Sequence, residues 1–533
     1  MKSYNDQLSA MVFKSTLLGF LIFSIWNSYA QAPGLIPAPV KVVSLNGDLT
    51  LNFRPEVHAS GSLVRERQLV KTCFNSLKKN KYSRKFPVRL SIDPIIARRN
   101  KEGYSITVDS KGVTIKGGGA AGVFYGIQTL KQIIRLEPQG RITIPYLSIV
   151  DHPRFAWREF MFDEARYFKG KQVVKQLLDE MALLKMNIFH WHLTDNTGWR
   201  LEIKKYPLLT KVGGKRDSSE IKVNGIRGFY DGKPHSGFYS QKDVAEIIRY
   251  AAERHITVIP EIDIPGHTSA AIAAYPWLGS ASVPITVPFS FANQPNVLKV
   301  SDPRVRGFVE DVLDEVIQLF PSQVIHVGGD EVLYKHWDQS DEVQAFIKEK
   351  GLSSSADLQL WYMNTVSRYL ESKGRRMMGW NEILGDKIHD EIANGDLKVS
   401  GNLAPNTIID FWKGDVKLMK KAAQNGYEIV NSINYKTYMD IEKVKLKDAY
   451  GFEPVPQGLP LEERQKFLGS ACHMWSEWIP LVNDLHGRVF PKLAAYAEVG
   501  WTQKENKTYE GFRDRLSWFY LHWKNAGIKY LKE

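Results

Sequence analysis

The sequence predicts an α/β fold, a (β/α)8 TIM barrel preceded by a small α+β domain, and three observations carry that prediction. Beyond Pro153, short apolar runs alternate with helical patterns, which is the texture of parallel βα units. Eight such runs are spread over about 350 residues, the length of a barrel with insertions. Ahead of Pro153, Tyr104–Val108 and Gly112–Lys116 alternate apolar and polar residues, as in an antiparallel hairpin.

At 533 residues the chain exceeds one ordinary domain, and two are expected, one of them large. A hydrophobic content of 43% with 12% aromatic residues excludes a disordered chain. The net charge of +13 is accounted for by Lys and Arg scattered over surface helices. There is no dense basic run and no glycine-rich phosphate loop of the required spacing, so no nucleic-acid partner is expected. No cofactor motif is present.

Residues 1–30 read as a signal peptide. Lys14 precedes an apolar stretch from Thr16 to Trp26, and Ser28-Tyr29-Ala30 offers small residues at the usual cleavage spacing, with the cut after Ala30. The stretch is too short to span a bilayer comfortably. An exported, soluble protein is expected, periplasmic or secreted, with no stable membrane insertion after cleavage.

Residues 31–152 read as the α+β support domain. Tyr104–Val108 and Gly112–Lys116 alternate apolar and polar residues about a turn, a hairpin signal, and Gly122–Ile133 has a helical pattern that would cover one face of a sheet. Only two cysteines occur, Cys73 and Cys472; neither count nor spacing fits a zinc knuckle or a disulfide scaffold. Cys472 lies in an apolar run and reads as a small buried hydrophobe.

Residues 153–533 read as the catalytic barrel with a C-terminal helix. The expected strands are Trp157–Phe162, Asn187–Leu193, Thr257–Ile262, Gln323–Val327, Arg376–Trp380, Thr407–Trp412, Glu428–Ile433 and Gly469–Trp475. Between them, Ser240-Gln-Lys-Asp243 is a capping box ahead of a stripe at Val244, Ile247, Ile248 and Ala251. Asp302-Pro303 opens another helix, with Val305, Phe308, Val309 and Val312 on one face.

In this fold polar residues just past a strand point at the active site. That rule collects Asp163 and Arg166; His190, His192 and Asp195; Glu261, Asp263 and His267; Asp330 and Glu331; Trp380 and Glu382; Trp412; Tyr435, Tyr438 and Asp440; and Trp475 and Glu477. Carboxylates interleaved with tryptophan suit a saccharide pocket, with flat apolar walls, partners for hydroxyls, and an acid. The densest stretch is Val324 to Trp337. There a β-branched run ends at Gly328-Gly329, and two acids follow that a glycine-released turn can aim into one cleft. Two acids buried together should raise at least one pKa towards neutrality, the state general-acid catalysis needs.

With these residues laid out, the chain resembles the family 20 glycoside hydrolases, the β-N-acetylhexosaminidases, over about nine-tenths of its length. The resemblance rests on Phe162–Phe168, Lys185–Asp195, Val258–His267, His326–Glu331, Gly379–Glu382, Tyr438–Asp440 and Met474–Glu477. It implies retaining, substrate-assisted hydrolysis of a terminal, non-reducing β-linked N-acetylglucosamine or N-acetylgalactosamine, through an oxazolinium intermediate. It also implies roles for individual residues. Glu331 would be the general acid, Asp330 would accept the acetamido N–H, and Tyr438 would hold the acetamido carbonyl oxygen. Trp380, Trp412 and Trp475 would form aromatic walls; Arg166, Asp440 and Glu477 would bind ring hydroxyls; Asp195 and His267 would tune the acid from behind. The substrate would be an oligosaccharide or glycoconjugate ending in N-acetylhexosamine. Two departures stand out: Asn196-Thr197 follows Asp195 where a second Asp and a Gln are common, and Asn381 replaces a frequent Asp. They bear on the leaving-group side, which the loops Gly213–Gly237 and Ser280–Asn296 are expected to build.

Two other readings remain open at this level. One is a metal-dependent hydrolase on the same barrel, using His190, His192, His267, His326 and Asp330. The other is a catalytically silent glycan-binding protein. Oligomeric state and sugar preference are open as well.

Overall fold

The computed structural model describes residues 34–50, 53–76, 84–136, 142–281, 283–385 and 403–532. The expected signal peptide lies outside the described residues. The N-terminal part is a mixed sheet in the order Lys41–Thr50, Ile142–Asp151, Tyr104–Asp109, Gly112–Gly117, Arg84–Ile92, Phe53–Ala59, with Arg135–Leu136 paired to Ile142–Asp151. The hairpin expected at Tyr104–Val108 and Gly112–Lys116 is present as an antiparallel pair. The helix Ala120–Ile133 covers the sheet and touches the first barrel helix, Lys171–Leu183, so it is buried on almost every side.

Charged groups tie this part to the barrel. The Asp151 carboxylate receives the Tyr104 hydroxyl at 2.5 Å, Lys185 Nζ at 3.1 Å and Trp501 Nε1 at 3.0 Å. The buried Arg158 guanidinium pairs with Glu102 at 2.7 Å and reaches the Tyr125 hydroxyl at 3.2 Å. Removing one member of such a buried pair strands the other, at about 3–5 kcal/mol.

The barrel closes from eight parallel strands in sequence order: Trp157–Asp163, Ile188–His192, Thr257–Glu261, Val324–His326, Arg376–Trp380, Ile408–Phe411, Glu428–Asn431 and Phe467–Met474. Each coincides with one expected from the sequence. Between them, Ser240 and Asp243 form the capping box, with Val244, Ile247 and Ala251 buried. Asp302 caps the helix Pro303–Leu319 through Arg304 N, and Val305, Phe308, Val309 and Val312 are buried. The helix Tyr509–Asn525 closes the chain.

What positions the site is the two-residue period of the strands. The closed lower end of the barrel is filled by Ile188, Ile259, Val324, Met378, Ile408, Val430 and Ala471, one from each of strands two to eight. Two residues further along the same strands stand His190, Glu261, His326, Trp380, Asp410, Ser432 and His473, all buried. Two further again come His192, Asp263, Gly328, Glu382, Trp412 and Trp475. The strands' alternation thus sets an apolar plug beneath a buried polar layer, and the turns just past the strands add a polar-aromatic mouth. Cys472, on the opposite parity of strand eight, is fully buried, and no disulfide joins it to Cys73. No helix among the described residues is long and apolar enough to cross a membrane.

Candidate active site

Past strand four the backbone turns at Gly328 (φ +65°) and Gly329 (φ +98°), conformations that exclude most side chains. A Cβ on Gly328 would lie 1.7 Å from Asp263 Oδ1. Gly329 N–H donates to that same oxygen at 3.3 Å, so Asp263 shapes the turn. Glu331 also has a positive φ, +50°, without being glycine. That conformation costs about 1–2 kcal/mol and swings its side chain to the open side, while Asp330 points inward.

The two acids share one partner. His267 Nε2 is 3.7 Å from both Asp330 Oδ2 and Glu331 Oε2. Its Nδ1 faces Asp195 Oδ2 at 3.3 Å, and that oxygen also meets Arg166 Nη2 at 2.8 Å and His192 Nε2 at 3.1 Å. Burial opposes charge on His267, but Asp195 and Asp330 outweigh it and raise its pKa to about 9. Burial raises the Asp330 carboxyl to about 7, with His267 opposing and Glu382 and Glu331 adding to the rise. Asp330 Oδ1 is buried with no hydrogen-bond partner, an acceptor awaiting a donor.

Beside these acids stands an aromatic box. Trp380, Trp412 and Tyr438 cluster together, with Trp475 packed against them. Tyr438 stacks on Trp412 (6.1 Å between centroids, 11° between planes) and lies 5.9 Å from Trp475, which is 5.9 Å from Trp380. Trp412 Nε1 donates to Glu382 at 2.9 Å. Burial and the nearby Asp410 push the Tyr438 hydroxyl well above its ordinary pKa, so it stays a donor.

On the rim, Arg166 packs over Trp475 at 4.9 Å and lies 3.8 Å from Glu477. Asp440 is raised to about 7 by burial and by Glu477. The structure therefore brings Asp195, His267, Asp330, Glu331, Tyr438, Trp380, Trp412, Trp475, Arg166, Asp440 and Glu477 to one barrel mouth. Tyr435, collected by the strand-end rule, does not join them: it sits in the short helix Asn434–Thr437 with its ring in solvent.

The five ligands of the metal-hydrolase reading do not form one group. His190 and His326 sit with Glu261 in the buried layer, His192 with Glu261 and Asp263, and His267 with Asp330 and Glu331. The two departures have structural work. Asn196 Oδ1 receives Ser269 N and Oγ, and Asn381 Oδ1 receives Trp412 N at 3.0 Å, fixing that wall. On the leaving-group side, Glu220 joins the two expected loops by accepting from Ser290 Oγ and Phe291 N. Sequence reasoning passed over Trp478, which packs on Phe291 at 5.3 Å beneath Lys222 and Arg227. Its position right after Glu477 was the available signal.

Comparison with known proteins agrees with this geometry. The family model described as glycosyl hydrolase family 20, catalytic domain, matches residues 155–504, and that family's domain 2 matches residues 32–152. A β-hexosaminidase of Porphyromonas gingivalis is 34% identical over 81% of this chain and 54% of its own length, so the chain spans about half of that relative. A β-hexosaminidase of Vibrio furnissii is 33% identical over 89% of this chain and 77% of its own. Among solved structures, a family 20 exo-β-N-acetylglucosaminidase of Vibrio harveyi, crystallised with N-acetylglucosamine, superposes with a TM-score of 0.80 at 26% identity, covering 94% of this chain and 78% of the other.

Proposed function

The chain belongs to glycosyl hydrolase family 20 and is a glycoside hydrolase, and on that premise we propose that it is an exo-acting β-N-acetylhexosaminidase. It releases terminal, non-reducing β-linked N-acetylglucosamine or N-acetylgalactosamine with retention, the substrate's own acetamide serving as nucleophile. The observation that carries this reading is the buried, partnerless Asp330 Oδ1 facing an aromatic box that contains Tyr438, beside an accessible Glu331.

In the first step the acetamido carbonyl oxygen attacks C1 while the glycosidic C–O bond breaks, and Glu331 gives its proton to the leaving oxygen. Asp330 accepts the acetamido N–H, whose positive charge grows as the ring closes, so this contact strengthens in the transition state. Tyr438 donates to the carbonyl oxygen and holds it on line with C1. Trp380, Trp412 and Trp475 enclose the acetamide and exclude water that would compete with it. Arg166, Asp440 and Glu477 hold ring hydroxyls. In the second step Glu331 takes a proton from water, which attacks C1 of the oxazolinium and regenerates the acetamide.

The protein is also exported, a reading supported by the Lys14, Thr16–Trp26 and Ser28–Ala30 pattern. The activity is tested with an aryl N-acetyl-β-glucosaminide and the matching galactosaminide. Turnover that yields the β-anomer first supports the reading, and absence of turnover on both removes it.

A further inference from the structure

One carboxylate in the buried layer is bonded to both halves of the site. Glu261 ends strand three, in register with His192 on strand two and His326 on strand four, and is fully buried. Its Oε1 accepts from Trp380 Nε1 at 3.0 Å, and His326 Nδ1 lies 3.0 Å from the same atom. Its Oε2 faces His192 Nδ1 at 2.5 Å and His190 Nε2 at 3.0 Å. From His192 the line continues through Nε2 to Asp195 at 3.1 Å, and from Asp195 to Arg166 and to His267 beside the two acids.

We propose that Glu261 is a positioning residue that holds the acetamide-facing Trp380 and the His192–Asp195–His267 line on one rigid anchor. This inference rests on the hexosaminidase reading. In such a reaction the acetamide must close on C1 while the proton arrives at the leaving oxygen, and the two events need a fixed separation. The Trp380 indole cannot move without moving the carboxylate that also orients His192. The partners of Glu261 come from three strands, His190 and His192 from strand two, His326 from strand four and Trp380 from strand five, so the anchor spans strands two, three, four and five. Packing alone would not require this: an aromatic side chain without a ring N–H at position 380 would still form a wall but would not bond Glu261. Misplacing a reacting group by about 1 Å costs about 100-fold in rate, while ground-state contacts at the rim are left as they were.

The test uses the full chain with Glu261→Gln and Trp380→Phe, singly and together. The readouts are kcat and KM on an aryl N-acetyl-β-glucosaminide, and inhibition by a sugar-fused thiazoline that mimics the oxazolinium. The expected result for Glu261→Gln is a fall in kcat of about 100-fold, a parallel weakening of thiazoline inhibition, and a KM within about threefold of wild type. Because Trp380→Phe deletes the indole N–H that bonds Glu261, the losses of the two single variants should combine to less than their product in the double variant. Should Glu261→Gln fail to fold, Glu261→Asp keeps the charge but withdraws the carboxylate by one methylene, and the same split is expected at smaller size. A folded Glu261→Gln or Glu261→Asp chain that turns over within threefold of wild type overturns the inference, as do single losses that simply multiply. A wild-type chain with no turnover on the N-acetyl substrate overturns the functional reading, and this inference with it.

Discussion

His267 presents Nδ1 to Asp195 Oδ2 at 3.3 Å, and that pairing decides what the opposite nitrogen can do. With Nδ1 held by a carboxylate that Arg166 and His192 also clamp, the ring cannot swing, and Nε2 is left facing Asp330 and Glu331 at equal distance. A cation fixed there favours the anionic form of Asp330, the form that accepts the acetamido N–H, and stands equally near Glu331.

Glu331→Gln should retain the fold, since the side chain is partly exposed, and lose about 1,000-fold in kcat on a sugar or alkyl leaving group. A nitrophenyl leaving group needs less protonation, so the loss there should be smaller. Steady-state kinetics on the two substrates checks this, and equal losses would count against the assigned acid.

Asp330 must be ionised to accept the acetamido N–H, and its carboxyl is raised to about 7 in the open site. kcat/KM should therefore climb as pH rises through about 7. Asp330→Asn should lower kcat by about 100- to 1,000-fold and erase that limb. A pH–rate profile of both proteins reads the difference.

His267 affects stability in a stated direction. Its pKa is raised to about 9 in the fold against an ordinary value of about 6.5. Its contribution is full below about pH 6.5, where both states hold the proton, and is lost as pH climbs through about 9. The stability gap between wild type and His267→Gln should thus narrow by up to about 3 kcal/mol between pH 6 and pH 9.5. Denaturant unfolding of the two proteins at each pH measures it.

Gly328→Ala forces a Cβ onto Asp263 in a left-handed backbone. The expected cost is at least about 3 kcal/mol, and the acid turn should lose its geometry, with activity falling even where the chain still folds. Thermal unfolding and kcat together distinguish this from a simple loss of stability.

An aryl β-glucoside, with a plain 2-hydroxyl, lacks the internal nucleophile. It should be cleaved at least about 1,000-fold more slowly than the N-acetylated sugar, because an intramolecular attack is replaced by one from bulk water. Comparable rates would remove substrate assistance from the mechanism.

Much of this was legible in the chain. All eight barrel strands were placed by apolar runs, because a strand buried on both faces has a composition that loops lack. The mouth residues followed from their position just past those runs. Tyr435 was misplaced by the same rule: strand seven ends at Asn431, a helical turn follows, and a turn of helix sends neighbouring side chains in different directions. One of the paired acids is raised as expected, but it is Asp330, the more deeply buried of the two and the assigned N–H acceptor rather than the assigned proton donor. The packing of Trp478 is not legible in the chain, because its partners, Phe291, Lys222 and Arg227, come from two distant loops.

By itself the sequence determined which residues share the inner face of each strand and which acids follow the strand ends, since a period of two and the chemistry of a glycine turn are local properties of the chain. Only the tertiary structure decided that Glu261 holds both Trp380 and His192, that His267 stands equally far from Asp330 and Glu331, and that Asp330 keeps a bare acceptor. Each of these depends on distances across the closed barrel and on how much water is excluded, and both are set by all eight strands together.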